Sequence, residues 1–340
     1  MKINTDITMA LDMMALLESK KYQVKEEFDV FMETMSKSTG FVKMIQFYEA
    51  MYSYEAYKEI LFLALNDLAF TSESDLLNML YQNLKRMNVA LLKKKVERIQ
   101  TFDFESILHR LESTLPDNTE IALNLYFVVD GINAASVSGE DTILLNTMFW
   151  PSEKENENLM IDVLLHEYHH IGLKFWLSKQ NISSEDKYLN PKSFVKYMTA
   201  SIIGEGAATY FFTQSDHIYP LILESHGEEI ASNFRAATQK RSEDIDDLLE
   251  KLNRDLIDVL TEAKQKEALA QLSSDYSFDP SGNEPRDKTI GQYMCRRIDE
   301  TLGRKQLIQC FKQLSSFYEI YNLTIKHEGD FTFSSELIGL

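Results

Sequence analysis

The sequence predicts an α+β fold that is predominantly α-helical, with one small mixed sheet near the middle of the chain. Two features carry this prediction. No proline precedes Pro116, and Gly40 is the only glycine before Gly131, so helix breakers are rare in the first third of the chain. Residues 121–129 are rich in β-branched and aromatic side chains, which are typical of a strand.

The N-terminal part, residues 1–118, is expected to consist of helices joined by short polar turns. Its apolar residues recur at near-helical spacing, for example at Leu84, Met87 and Leu91. Methionine and aromatic side chains are dense between residues 28 and 52. Because such a stripe is more often core than a binding site, we expect it to pack inside the protein.

A pair of strands is expected next along the chain. The first is Ile121–Val129, which ends at the turn pair Asp130-Gly131. The second is Thr142–Asn146, which follows the turn signal Gly139-Glu140-Asp141. Together they form the small sheet of the predicted fold.

The segment His166-Glu167-Tyr168-His169-His170 follows an apolar run and matches the pattern HExxH. Residues four apart lie on one face of a helix, so His166 and His170 can offer two imidazole nitrogens to one metal ion. Glu167 lies about 100° round the helix from His166, within reach of a water bound to that metal. Zinc lowers the pKa of such a water to about 7. The pattern therefore predicts Zn²⁺, with two histidine ligands and Glu167 as the general base.

Another interpretation of the segment is a helix with surface histidines beside an ordinary glutamate. His169 suits the metal less well, because pairing it with His166 would leave Glu167 without its role. We expect His169 to support a ligand or to face solvent.

Glu205 is the predicted third zinc ligand. It is the only charged residue between Ala200 and Phe212, and a carboxylate buried there would be costly unless it were paired or bound to a metal. The small neighbours Gly204 and Gly206 would let this helix approach the HExxH helix closely. Another interpretation is a glutamate at the helix surface, salt-bridged or solvated. Rival ligands lie in more polar stretches, where a charged group needs no explanation: Glu185, Asp186, Asp216 and His217.

The C-terminal part, residues 213–340, is expected to be helical. The polar stretch 213–274 is typical of helices with a solvated face. Prolines and a Ser-Gly pair predict a loop over Asp275–Asp287, and Gly303 is the expected C-cap of a later helix. The last two helices are expected at Thr289–Leu302 and Lys305–Tyr321.

With His166, Glu167, His170 and Glu205 in place, the chain resembles the gluzincin type of zinc metallopeptidase. It is most similar to bacterial zinc-dependent peptidases of unknown function that carry HExxH and a later Glu-Gly pair. The segment 290–303 also resembles the C-terminal helix of that group.

Two features depart from the gluzincin pattern. The insertion Lys174–Lys192 places Glu205 later than usual after the motif. Thr209 stands where gluzincins often carry an acidic residue.

The resemblance implies a zincin-like catalytic core at residues 119–212, flanked by the helical parts 1–118 and 213–340. It also implies that the sheet lies beside the active-site helix and that its edge strand pairs with an extended substrate. The run Thr142–Phe149 is the candidate edge. A plain core hairpin is the alternative for this run.

Peptide hydrolysis also needs a hydrogen-bond donor for the developing oxyanion. Tyr293 is the predicted donor, because it lies in the segment that resembles the family's C-terminal helix. The other candidates are Tyr210, His217 and Arg297.

Composition excludes several other classes of function. The net charge of −18 argues against binding to nucleic acid phosphates and to anionic membrane surfaces. The start of the chain lacks the pattern of a secretory signal, and no apolar run is long enough to span a bilayer. Two cysteines, Cys295 and Cys310, do not suggest a disulfide scaffold. A cytoplasmic protein is expected.

The predicted function is therefore that of a zinc metallopeptidase acting on a peptide or protein substrate, with the oligomeric state left open. One alternative is a helical interaction or scaffold protein in which HExxH is accidental or inactive. Another is a zinc hydrolase of a non-peptide bond, which shares the same metal chemistry. Stoichiometric zinc without hydrolysis would favour an inactive peptidase, and absence of zinc would favour an accidental HExxH.

Overall fold

The protein is described by a computed structural model that covers residues 2–262, 264–277, 285–327 and 330–340. It is 67% helical, with a small four-stranded mixed sheet. This confirms the predicted α+β class, in which helices predominate. No helix in the described ranges is both long and apolar enough to cross a membrane.

Short helices form most of the N-terminal region. Polar side chains begin several of them, since Ser38, Ser53, Ser74 and Asn88 each accept a hydrogen bond from a backbone N–H in the following first turn. These caps explain why the polar turns of the sequence mark helix starts. The helices are α1 (Thr8–Ser19), α2 (Lys25–Met35), α3 (Thr39–Phe47), α4 (Tyr54–Leu65), α5 (Asp75–Lys85), α6 (Val89–Thr101) and α7 (His109–Glu112).

The stripe of methionine and aromatic side chains between residues 28 and 52 is mainly core, as predicted. Met51 is an exception and is exposed. The buried members are Phe28, Met32, Met35, Phe41, Met44, Tyr48 and Tyr52.

The sheet has the strand order β1-β2-β4-β3. Its strands are β1 (Lys2–Asp6), β2 (Ala122–Val128), β3 (Ala135–Ser138) and β4 (Thr142–Asn146). β1 and β4 both pair with β2 in parallel, and β3 pairs with β4 antiparallel through a turn at Gly139. β2 and β4 are the two predicted strands. The sequence did not indicate β1 and β3, which are short and largely polar.

The prediction that Thr142–Phe149 forms the edge of the sheet is wrong. β4 pairs on one side with β2 and on the other with β3, and all five of its residues are buried. Residues Thr147–Phe149 form a 3₁₀ turn. The alternative, a core hairpin, describes this run, and β3 is the edge strand next to it.

Longer helices follow the sheet. Gly303, at φ 91°, separates the last long helix from the next, as the sequence predicts. The helices are α8 (Glu157–Ser178), α9 (Pro191–Phe211), α10 (Ser215–His226), α11 (Glu228–Glu243), α12 (Ile245–Thr261), α13 (Lys266–Ser277), α14 (Arg286–Leu302), α15 (Arg304–Lys312) and α16 (Phe317–Asn322).

Two predicted boundaries in this region are wrong. The expected loop Asp275–Asp287 is shorter, because its first residues belong to α13 and its last to α14, while residues 278–284 lie outside the described residues. The expected helix Lys305–Tyr321 is interrupted by the 3₁₀ turn Leu314–Ser316.

The chain divides into two compact units. Unit 1 contains Met1–Leu108 and Ile121–Glu167, and unit 2 contains His109–Glu120 and Tyr168–Leu340. The boundary falls within α8, which is one continuous helix. These two units are defined by the contacts within each of them. The predicted division into a catalytic core at residues 119–212 and two flanking helical parts stays a prediction.

Each unit has its own core. In unit 1, helices α1 and α3 contact β2, and the rings of Phe104, Phe127 and Trp150 lie edge to face or tilted against one another. In unit 2, buried apolar residues of α9, α12, α14, α15 and α16 form one cluster. Within the described part of this unit, α9 and α14 make the most extensive contact of any two helices.

Candidate metal centre

The HExxH segment lies in the middle of α8, with no break in the helix on either side. The apolar residues before it, among them Leu164 and Leu165, are fully buried. His166 is also buried, whereas Glu167 and His170 are partly exposed. The motif is therefore held by a packed helix, and its glutamate remains accessible to solvent.

Glu205, on α9, meets the two motif histidines. The ligand atoms of His166, His170 and Glu205 all lie within 4.8 Å of one another. Oε1 of Glu205 is 3.3 Å from Nε2 of His170. Two ligands bound to a tetrahedral zinc at about 2.0–2.1 Å lie roughly 3.3 Å apart, so the spacing of this pair suits the metal.

A glycine beside Glu205 brings α9 close to α8. A Cβ added at Gly204 would lie 3.1 Å from Cδ2 of Leu173 and 3.8 Å from Nδ1 of His170. The predicted use of a small residue for this approach is thus seen at Gly204. Gly206 has a different neighbour, because a Cβ there would overlap the backbone of Gly291 on α14.

Two basic side chains face the Glu205 carboxylate. Oε1 faces His170, and Oε2 is 3.3 Å from Nζ of Lys288. The side chain of Glu205 keeps 28% of its exposure, so its carboxylate is only partly buried. Its place in the cluster, rather than its burial, makes it a candidate ligand.

Asp287 lies beside this ion pair and is buried. Its Oδ2 accepts a hydrogen bond of 3.1 Å from Oγ of Ser201, and its Oδ1 accepts one of 2.8 Å from the backbone N–H of Lys288. Burial, followed by the nearby charge of Glu205, raises the pKa of Asp287 to about 7. Neither Asp287 nor Lys288 stood out in the sequence, because only the packing of α14 on α9 brings them to Glu205.

The sequence profile of one protein family matches residues 20–329, which is most of the chain. That family is described as “Putative zinc dependent peptidase (DUF5700)”. The chain belongs to this family. Searches of curated proteins and of solved structures found no match. The span matched by the DUF5700 profile includes the HExxH segment, Glu205 and Lys288.

His169 does not face solvent. It is fully buried, and its Nε2 lies 3.1 Å from the carbonyl oxygen of Thr114. Three aromatic rings surround it with centroid distances of 5.4–6.3 Å: Phe211, Phe212 and Phe311. This histidine therefore anchors α8 within unit 2, and it is not among the three clustered residues.

Two of the rival ligands contact other partners. Oδ1 of Asp216 is 3.1 Å from Nε of Arg235, and Oδ2 of Asp186 accepts a hydrogen bond from Ser183. Glu185 and His217 are likewise not in the cluster formed by the two motif histidines and Glu205.

The candidate oxyanion donors have contacts of their own. Tyr293 is partly buried at the border of the unit 2 core and interacts with Tyr321. Tyr210 donates a 3.0 Å hydrogen bond to Asp299, and burial raises its pKa to about 12. Arg297 pairs with Asp330. The role of Tyr293 stays a prediction.

Proposed function

We propose that this protein is a zinc-dependent peptidase in which His166, His170 and Glu205 hold the metal. One observation carries the proposal: two side chains from a single turn of α8 and one from α9 place their ligand atoms within 4.8 Å of one another. Membership of a family described as zinc-dependent peptidases supports the choice of substrate class.

The donor set fits zinc. Two imidazoles and one carboxylate are a ligand combination found in catalytic zinc sites, where the fourth position is kept for water or substrate. When bound, zinc acts as a Lewis acid and lowers the pKa of a bound water to about 7. A site built for a structural zinc would have a fourth protein ligand instead.

Glu167 is the general base of the proposed reaction. It follows His166 in the same helical turn and is partly exposed, so its carboxylate can accept a proton from a water at the cluster. The same carboxyl group then gives that proton to the leaving amine of the cleaved peptide. Tyr293 is the proposed donor to the oxyanion, as the resemblance to the family's C-terminal helix suggests.

An extended peptide needs a strand with an open edge if it is to bind by strand addition. β3 is the edge strand next to β4 and pairs with it antiparallel. We therefore assign to β3 the substrate-pairing role that the resemblance gives to an edge strand. Backbone hydrogen bonds of this kind would tolerate many peptide sequences.

The proposal is tested by zinc analysis of the purified protein combined with a peptide-library screen at neutral pH. The expected result is about one zinc per chain and hydrolysis that a chelator removes and added zinc restores. A zinc-loaded protein that cleaves no peptide bond would contradict the peptidase assignment, and a protein that binds no zinc would contradict the whole proposal.

A further inference from the structure

We infer that Lys288 is a positioning residue for the third zinc ligand: its ammonium group holds Oε2 of Glu205, so that Oε1 is the oxygen presented to the metal. This inference rests on the proposed function, because it requires a metal at the cluster.

The two oxygens of the Glu205 carboxylate face different neighbours. Oε1 lies 3.3 Å from Nε2 of His170, which is another candidate ligand, and Oε2 lies 3.3 Å from Nζ of Lys288. A carboxylate can bind a metal through one oxygen or through two. With Oε2 paired to Lys288, the carboxylate would bind a metal through Oε1 alone, and a position would be left for water or substrate.

Packed helices set the location of Lys288. On one side of it, the buried Asp287 accepts a hydrogen bond from Ser201, which lies one turn before Glu205 on α9. On the other side, Gly291 meets α9 backbone to backbone, since a Cβ there would overlap the carbonyl oxygen of Ile202. The N-terminal turns of α14 are thus fixed to α9 on both sides of Lys288.

Charge repulsion and positioning by Lys288 change the zinc affinity in opposite directions, so a measurement can distinguish them. A fixed ammonium beside a bound dication repels it, so repulsion alone predicts that removing Lys288 would tighten zinc binding. Groups that orient a metal ligand act in the opposite direction, and their loss typically costs about 10–100-fold in metal affinity or activity. Positioning therefore predicts weaker zinc binding without Lys288.

The experiment measures zinc affinity by competition with a chelating indicator, and records the visible absorption of the Co²⁺-substituted protein. The variants are Lys288→Met, which removes the charge, and Lys288→Arg, which keeps it. Lys251→Met is the matched control, because Lys251 also pairs with a carboxylate, Asp255, at 2.7 Å and is 41% exposed, whereas the Lys288 side chain is 32% exposed. Melting temperatures verify that each variant is folded, and Lys288→Gln replaces Lys288→Met if the latter does not fold.

We expect Lys288→Met to weaken zinc binding by about 10–100-fold. The cobalt absorption should also fall, as happens when coordination number rises because both carboxylate oxygens bind. Lys288→Arg should restore most of the affinity, and Lys251→Met should match the wild type.

Three results would overturn the inference: zinc binding in Lys288→Met that is unchanged or tighter, a cobalt spectrum identical to that of the wild type, or an arginine variant as weak as the methionine variant. In each of these cases a wild-type protein that binds zinc and hydrolyses peptides would leave the proposed function standing. A wild-type protein that binds no zinc would end both.

Discussion

Glu167 and His166 are neighbours in the chain but differ in exposure, and this difference suits their proposed roles. His166 is buried, as a ligand held in a fixed orientation should be, while Glu167 is partly exposed. A base that exchanges protons with water and substrate needs that access.

Replacing Glu167 with glutamine should therefore separate metal binding from hydrolysis. The amide cannot accept a proton from water, so we expect Glu167→Gln to keep its zinc and lose about 10²–10⁴-fold in turnover of a peptide substrate. Zinc content and turnover are measured on the same preparation. An amide variant as active as the wild type would remove Glu167 from the mechanism.

A second carboxylate, Asp130, belongs to the core of unit 1. It follows β2 and accepts hydrogen bonds from the hydroxyl of Tyr48, the side-chain amide of Asn146 and the backbone N–H of Ile132. Burial raises the pKa of Asp130 to about 7, and these donors only partly offset it. The folded state thus binds the Asp130 proton more tightly than the unfolded state does.

This shift predicts how the stability of the protein depends on pH. The contribution of Asp130 is fully present below the unfolded pKa of 3.8 and is lost as pH rises through about 7. Between pH 6 and pH 8 the wild type should lose about 1.4 kcal/mol more of its free energy of unfolding than Asp130→Asn does. Urea unfolding of both proteins at the two pH values provides the measurement, and equal losses would refute the assignment.

At the scale of elements, the crossing of α9 and α14 determines what surrounds Glu205. The helices touch at Gly206 and Gly291, which lets their backbones meet without intervening side chains. Lys288 lies one turn before Gly291, and Glu205 directly precedes Gly206. The same crossing that packs the unit 2 core therefore places the lysine on the carboxylate.

Gly291→Ala should open this crossing, because the new methyl group would meet backbone rather than a flexible side chain. We expect a loss of about 2–3 kcal/mol in the free energy of unfolding, together with weaker zinc binding. Gly204→Ala is the control, since its methyl group meets the side chain of Leu173 at 3.1 Å, which can shift. Equal stability of the two variants in denaturant titrations would show that the glycine contact does not fix the crossing.

The elements that could be predicted from the sequence are those whose signals are local. Capped helix starts, the apolar strand β2 and the motif helix α8 each carry their own pattern. β1 and β3 do not, because these short polar strands are stabilised mainly by the partner strands that they join. The sequence wrongly predicts β4 at the edge of the sheet because it does not indicate β3, which pairs with the outer side of β4.

At the scale of the whole molecule, the candidate metal cluster combines residues that the sequence indicates with residues that only the packing of distant helices brings together. The His166–His170 pair could be predicted because helical periodicity fixes it, and Glu205 because it is an isolated charge in an apolar segment. Lys288 could not be predicted, since its position depends on the packing of two helices far apart in sequence. The net charge of −18 is a property of the whole surface and indicated neither cluster nor partner.

The zinc content of ligand variants tests the proposed centre most directly. Wild type, His170→Ala, Glu205→Ala and the control Asp216→Ala are purified in parallel, and metal is measured by elemental analysis after equilibration in a zinc buffer that supplies more than one zinc per chain and removal of unbound metal. Asp216 is a suitable control because it is a carboxylate of the same unit that pairs with Arg235 outside the cluster. We predict about one zinc per chain in the wild type and in Asp216→Ala, and its loss in the other two variants. Full zinc content in Glu205→Ala would contradict the account.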